Sequence, residues 1–181
     1  NGERVNYQLR LARNSDIPAI EALIECSVHH LQAGHYTEAQ RAGALGSVFG
    51  VDTQLIIDNS YYVIECNDEL AGCGGWSRRT TLFGADSAKT DSDPELNPKT
   101  DAARLRAFFV HPNHARRGLG SQIAEACEQA AREYGFSRAE LVATLAGEPL
   151  YTRHGYRPMK HYSLALDNGE SLPVILMGKT L

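Results

Sequence analysis

Apolar and polar positions change period several times along this chain, and each change marks an element. Tyr7, Leu9 and Leu11 alternate with Gln8 and Arg10, which predicts a strand with one buried face. Asn14-Ser15-Asp16 then offers capping oxygens. Ile17, Ile20, Leu23 and Ile24 follow at helical spacing, with Pro18 in the first turn where a missing N–H is harmless. A polar, His-rich link (His29, His30, Gly34, His35, Tyr36) leads to Thr37-Glu38-Ala39-Gln40. Its Thr-x-x-Gln spacing lets hydroxyl and amide satisfy each other's backbone N–H groups, so a second helix is expected to about Val48.

Tyr61 to Glu65 and Leu70 to Ser77 are β-rich and joined by Asn67-Asp68, a dipeptide tolerant of positive φ, which predicts a hairpin. Gly72, Gly74 and Gly75 in its second strand signal a bulge or a close backbone approach. From Gly84 to Thr100 the chain turns polar and loses all period, which reads as a long mobile loop, either a plain solvated insertion or a lid or binding wall. Leu105 to Val110 is an apolar strand running through His111-Pro112-Asn113-His114-Ala115-Arg116-Arg117 into Gly118-Leu119-Gly120-Ser121. There a helix begins, with Leu119, Ile123, Cys127, Ala130 and Tyr134 on one stripe and Gly135 placed to end it. Leu141 to Leu145 predicts a strand, Pro149 to His154 a helical turn or two, and Tyr162 to Leu166 with Leu172 to Leu176 a final hairpin around Asp167-Asn168-Gly169. The order β-α-α-β-β-β-α-β-α-β-β describes an α/β fold with a largely antiparallel sheet and one central β-α-β crossover.

Composition adds boundaries. With 181 residues, 43% hydrophobic, 22% charged and a formal net charge of -4, the chain is expected to be one soluble domain spanning 1–181. There is no run of about 18 apolar residues and no apolar segment at Asn1-Gly2-Glu3-Arg4, so a cytoplasmic protein is expected, neither membrane-bound nor exported. Its mild acidity disfavours a nucleic-acid partner. Cys26, Cys66, Cys73 and Cys127 form no C-x-x-C pair and read as small core residues in a reducing compartment, Cys73 included, although its glycine neighbours would suit a nucleophile.

The charge is unevenly placed. Asp86, Asp91, Asp93, Glu95 and Asp101 crowd into the long loop, where they would form an acidic wall able to attract a cationic amine. No acid stands between Ala102 and Ala124, and Arg104, Arg106, Arg116 and Arg117 all fall there. An anion site is expected in this stretch: glycines 118 and 120 let the backbone come close, and a helix N-terminus offers free N–H groups. A Walker loop would need Gly-x-x-x-x-Gly-Lys-Ser/Thr, which is absent. A Rossmann fingerprint would need a third glycine where Ile123 stands.

Phe109-Val110-His111-Pro112-Asn113-His114-Ala115-Arg116-Arg117-Gly118-Leu119-Gly120, followed about thirty residues on by Leu150-Tyr151-Thr152-Arg153-His154-Gly155-Tyr156, resembles the acetyl-CoA signature of the GNAT (GCN5-related) N-acetyltransferase superfamily. The element order is similar as well, over roughly Tyr7 to Leu181. The resemblance implies a mixed, mostly antiparallel sheet of six to seven strands flanked by helices and splayed at its central parallel pair. It also implies acetyl-CoA as cosubstrate, with the backbone of Arg116, Arg117, Gly118, Leu119, Gly120 and Ser121 around the pyrophosphate. Phe108, Phe109 and Val110 would lie along the pantetheine arm and Tyr151 by the thioester sulfur. The family usually has Gln or Arg where Ala115 stands and Asn where Thr144 stands, so a side-chain contact from Thr144 to the cofactor is the weaker expectation.

Such a protein would transfer acetyl to a primary amine of a small molecule or peptide by direct attack. The alternatives are an acyl-CoA sensor without catalysis or another phosphate-binding protein, and a homodimer is allowed. The leaving thiolate needs a proton. Tyr151, with an ordinary pKa near 10 against about 8.5 for a thiol, is expected to supply it without tuning. An N–H near Val110 is the expected oxyanion donor. His30, Tyr36, Glu38, Glu140, His111 or a bound water are equal candidates for the base. The acceptor is expected between the Val28–Tyr36 link, including His30 and Tyr36, and Trp76, Arg78 and Arg79. Trp76 reads equally as core and the arginines as a solvated strand end. His111 and His114 lack a third ligand, so no metal is expected.

Overall fold

The computed structural model describes residues 5–89 and 93–181. The period-two segments form strands β1 (Tyr7–Leu11), β2 (Tyr61–Cys66), β3 (Glu69–Ser77), β4 (Ala103–Val110), β5 (Arg138–Ala143), β6 (Arg157–Ala165) and β7 (Ser171–Thr180). They make one sheet in the order β1-β2-β3-β4-β5-β7-β6, antiparallel throughout except for the β4–β5 pair. The Asn67-Asp68 turn has φ of 51° and 64°, as a tight hairpin requires.

The helices are α1 (Ile17–Leu31), α2 (Glu38–Ala44), α3 (Thr53–Ile57), α4 (Leu119–Tyr134) and α5 (Glu148–Arg153). The Thr37–Gln40 capping box starts α2, and Gly135 in the left-handed region ends α4. Two expectations need correction. α2 stops at Ala44 rather than Val48 because Leu45 turns extended and Gly46 takes φ 83°. A short helix after Asp52 was not expected; the Asp52 carboxylate accepts from the Gln54 N–H at 3.0 Å and caps α3. Among the described residues no helix is long and apolar enough to cross a membrane.

Strand alternation builds a core on each face of the sheet. Ile20, Leu23, Ile24 and Val28 of α1 pack with Val63, Phe109, Leu172 and Val174 on one side. Ile123, Ala124 and Cys127 of α4 pack with Ile64, Leu105, Leu141 and Met177 on the other.

The described parts of the acidic segment are pinned rather than loose. Asp86 accepts from the Thr53 N–H and hydroxyl at 2.9 and 2.8 Å, Lys89 bridges Asp52 and Asp93, and Asp101 accepts from the Asn97 N–H. Glu95 pairs with Arg78. The acids expected to form a wall for a cationic amine are thus engaged within the fold; Asp91 lies outside the described residues.

Candidate active site

β4 and β5 pair only at Ala103–Ala139 and Arg104–Glu140, then part. The rest of β4 runs on to Val110 with an unpaired backbone edge, and a cavity of about 320 Å³ opens in the gap. Its lining comes from both faces of the sheet: Ser27 and Leu31 of α1 with the capping Gln32 on one side, Gly118 to Ser121 and Tyr151 on the other.

A bulge sets which β4 side chains face which way. β3 and β4 pair at Gly75–Arg106 and again at Cys73–Phe109, so Ala107 and Phe108 together oppose Gly74. Ala107 takes φ 55°, and its carbonyl accepts from the Tyr61 hydroxyl at 2.8 Å. The extra residue resets the alternation. Leu105 and Phe108 then share the α4 face, while Phe109 meets Phe49 on the α1 face. Phe108 stacks on Tyr151, centroids 5.7 Å apart and planes 28° from parallel. A Cβ on Gly74 would stand inside the Phe108 ring, which is why glycine is needed there.

At the other end of β4, Arg116 and Gly118 take φ of 61° and 77° and turn the chain into α4. This helix has no side-chain cap and no acid in its first turn. Its first internal bond is from the Gln122 N–H to the Gly118 carbonyl at 3.0 Å, which leaves the Leu119, Gly120 and Ser121 N–H groups without a helical partner. A Cβ on Gly120 would come 2.8 Å from Leu150, so α5 packs close at this point, and His154 Nε2 lies 2.9 Å from the Ser121 hydroxyl. Arg116 lines the cavity; Arg117 is exposed beside it.

Arg104 and Arg106 do not join them. Arg104 pairs with Glu140 at 2.9 Å, and Arg106 is buried against Asp52 at 3.1 Å and the Gly84 carbonyl at 2.9 Å. Burial lowers the Arg106 pKa against the opposing pull of Asp52. The anion-binding charge therefore rests on two arginines, not four.

Tyr151 sits on α5 with its ring buried, and among the described residues its hydroxyl has no hydrogen-bond partner. Burial pushes its phenol well above the ordinary value. The expected proton donation without tuning does not hold: a phenol with a pKa of about 10 is already a weaker acid than a thiol at about 8.5, so full transfer to a free thiolate runs uphill, and burial makes it more so. Hydrogen-bond donation to sulfur as charge develops is the role this group can fill. Thr144 also lines the cavity; its Oγ1 accepts from the Gly147 N–H at 3.0 Å. Cys73 lines it too, but burial, only partly offset by Tyr61, pushes the thiol up to about 12, which removes it as a nucleophile.

Phe108, Phe109, Val110, Leu119 and Gly120 complete the expected residues found on the cavity wall. The acceptor residues expected by name, His30, Tyr36, Trp76, Arg78 and Arg79, are not on this wall. Trp76 is buried against Tyr134 and Phe136 behind the sheet, and Arg78 and Arg79 are held by Asp58. Tyr36 is buried, donating to the Pro173 carbonyl at 2.6 Å and accepting from the Leu145 N–H, and the exposed His30 turns to the Cys26 carbonyl. Among the base candidates, Glu140 is bound to Arg104 and His111 lies between Cys26 and Glu69. The wall on the α1 side is instead Leu31, Gln32, Val48, Phe49, Leu82 and Phe83. Leu31 and Gln32 belong to the Val28–Tyr36 link where the acceptor was expected; no motif marked Val48, Phe49, Leu82 and Phe83, because apolar residues read as core until the fold opens a cavity beside them.

A sheet parted at its parallel pair, with an uncapped helix N-terminus on one face and a buried phenol at the gap, defines an α/β acyltransferase of the kind that takes a long phosphate-bearing thioester. A sequence model of the acetyltransferase (GNAT) family matches residues 22–156, and the chain belongs to that family, an acyltransferase using acetyl-CoA as cosubstrate. No curated protein sequence matches the chain. The fold is similar to a GCN5-related N-acetyltransferase from Rhodopseudomonas palustris (TM-score 0.71, 16% identity, 100% of both chains covered). It is also similar to PaiA N-acetyltransferase from Thermoplasma acidophilum in complex with coenzyme A (0.66, 12%, 97% and 99%). A third similar structure is yncA from Salmonella typhimurium with its cofactor acetyl-CoA (0.63, 17%, 97% and 94%).

Proposed function

We propose that this chain, working as one acetyltransferase unit, moves the acetyl group of acetyl-CoA to a primary amine of a small molecule or peptide by direct attack. The observation that carries the reading is the cavity through the parted sheet, with the uncapped α4 terminus on one face, an apolar wall on the other and the unpartnered Tyr151 hydroxyl beside it. The N–H groups from Leu119 to Ser121 and the charges of Arg116 and Arg117 suit the CoA pyrophosphate. The open edge of β4 from Phe108 to Val110 suits the amides of the pantetheine arm, and an N–H near Val110 suits the developing oxyanion. Thr144, already accepting from Gly147, keeps its hydroxyl proton for the cofactor. Tyr151 donates to the leaving sulfur. The four cysteines are free, which supports a reducing, cytoplasmic setting.

A sensor that binds acyl-CoA without turning it over would have no use for a hydroxyl kept free at this position. The two readings separate when the protein is incubated with acetyl-CoA and a set of amines while free thiol is followed. Thiol release that needs both partners supports the transferase, whereas thermal stabilisation by CoA with no release supports the sensor.

A further inference from the structure

Six described side chains hold a buried nitrogen or oxygen without a hydrogen-bond partner: Gln32, Arg41, Trp76, Arg104, Arg106 and Tyr156. Of these, only Gln32 lines the cavity. It is 5% exposed and ends α1, where its own carbonyl accepts from the His35 and Tyr36 N–H groups at 3.0 Å and holds the turn in place. A buried carbonyl oxygen left without a donor costs stability, so an orphan of this kind at a cavity wall points to a ligand. Leu31, Val48, Phe49, Leu82, Phe83 and Val174 line the same cavity. Leu31 and Phe83 are among the few large apolar side chains left exposed at 36%, and both stand at this cavity. The charged or titratable groups on the wall that bear on ligand charge are His114, Arg116 and Arg153, all basic.

We infer that Gln32 is the residue that recognises the acceptor, and that the acceptor is a primary amine on an uncharged apolar body, alkyl or aryl. This rests on the transferase reading above. The Gln32 side-chain oxygen accepts from an amine N–H and leaves the nitrogen lone pair free for the thioester. The new N–C bond forms as the C–S bond breaks, and the proton lost by the amine ends on the CoA thiol, so no further reactant is needed. A second ammonium on the acceptor meets an apolar wall and finds no compensating carboxylate among the described lining residues.

The test compares thiol release with phenylethylamine, hexylamine, hexamethylenediamine and a tetrapeptide, using the parent, Gln32→Leu and Gln32→Glu proteins. The parent is expected to favour the two monoamines in kcat/KM by about tenfold. Gln32→Leu should lose about 10- to 100-fold with them while the KM for acetyl-CoA stays within about twofold, the worth of one buried hydrogen bond. Gln32→Glu, whose carboxylate would hold the reacting amine as its unreactive ammonium, should move the rise of kcat/KM for hexylamine to higher pH, a change that a merely structural role would not produce. Full activity in Gln32→Leu, an unmoved pH profile in Gln32→Glu, or a parent preference for the diamine or the peptide overturns this inference and leaves the transferase standing. No release with any amine overturns the transferase reading and this inference with it.

Discussion

Replacing Tyr151 by Phe removes one hydroxyl and keeps the ring stacked on Phe108. Because that hydroxyl bonds to nothing in the described protein, its loss should leave the melting temperature unchanged or slightly higher. Its value in turnover is a separate matter, and kcat should fall by about 10- to 1000-fold with the acetyl-CoA KM nearly kept. The raised phenol also keeps its proton at pH 10, so the parent's kcat should show no alkaline fall at the ordinary tyrosine pKa. Steady-state kinetics over a pH range checks both. The Asp52–Arg106 pair, both side chains almost fully buried, calls for a different experiment. Asp52→Asn leaves a buried guanidinium without its anion and should cost about 3 to 5 kcal/mol in urea unfolding. Arg106→Met should cost less, because Asp52 keeps Lys89 at 2.8 Å and the Gln54 N–H.

Among the elements, the β4 bulge decides the most, since it turns Phe108 toward Tyr151. Gly74→Ala would push a methyl into that ring and against Ile123, and is expected to destabilise the fold by about 1 to 3 kcal/mol and to lower turnover as the ring is displaced. Gly120→Ala meets only the flexible end of Leu150 and should cost less; thermal melts of the two variants give the order. How far the elements were legible depended on whether a local pattern caused them. The caps at Thr37 and Gly135 and the positive-φ turn at Asn67-Asp68 are written in neighbouring residues, and the strands and longer helices followed from them. The bulge is not: Ala107 has no residue-type reason for φ 55°, and bonds to its carbonyl from Tyr61 and Cys73, both far off in sequence, hold it there. The cradle before α4 was legible because glycines and arginines stand together. The partners of Arg104, Arg106 and Arg78 were not, because Glu140, Asp52 and Asp58 reach them only through the fold.

The whole molecule carries its pH response in its buried groups. Arg10 holds the Asp16 carboxyl below its usual range. At Asp58 burial pulls upward, but bonds from Arg79 and Gln54 and the charge of Arg78 outweigh it. Burial likewise opposes, and Thr81 and Lys89 outweigh it, at Asp93. Lowered carboxyls give stability that is complete above their unfolded pKa near 4 and is lost as pH falls through the folded values. Burial raises Cys73 to about 12 and also raises Cys127, Tyr61 and Tyr156, so their contribution is complete below the unfolded values of about 8.5 to 10 and is lost as pH climbs through the folded ones. The melting temperature should therefore be level from about pH 5 to 8 and drop on both sides, which calorimetry across pH would show.

The cavity that crosses the sheet also bears on the order of events. Its lining reaches the α4 terminus on one side and the end of α1 on the other, so on the proposed reading the two substrates enter from different sides. Neither has to leave before the other arrives, and the buried Cys73 thiol cannot store the acetyl group between visits. On the proposed direct-transfer reading both substrates occupy the protein together. Double-reciprocal plots against either one should intersect rather than run parallel, and free CoA should compete with acetyl-CoA but not with the amine.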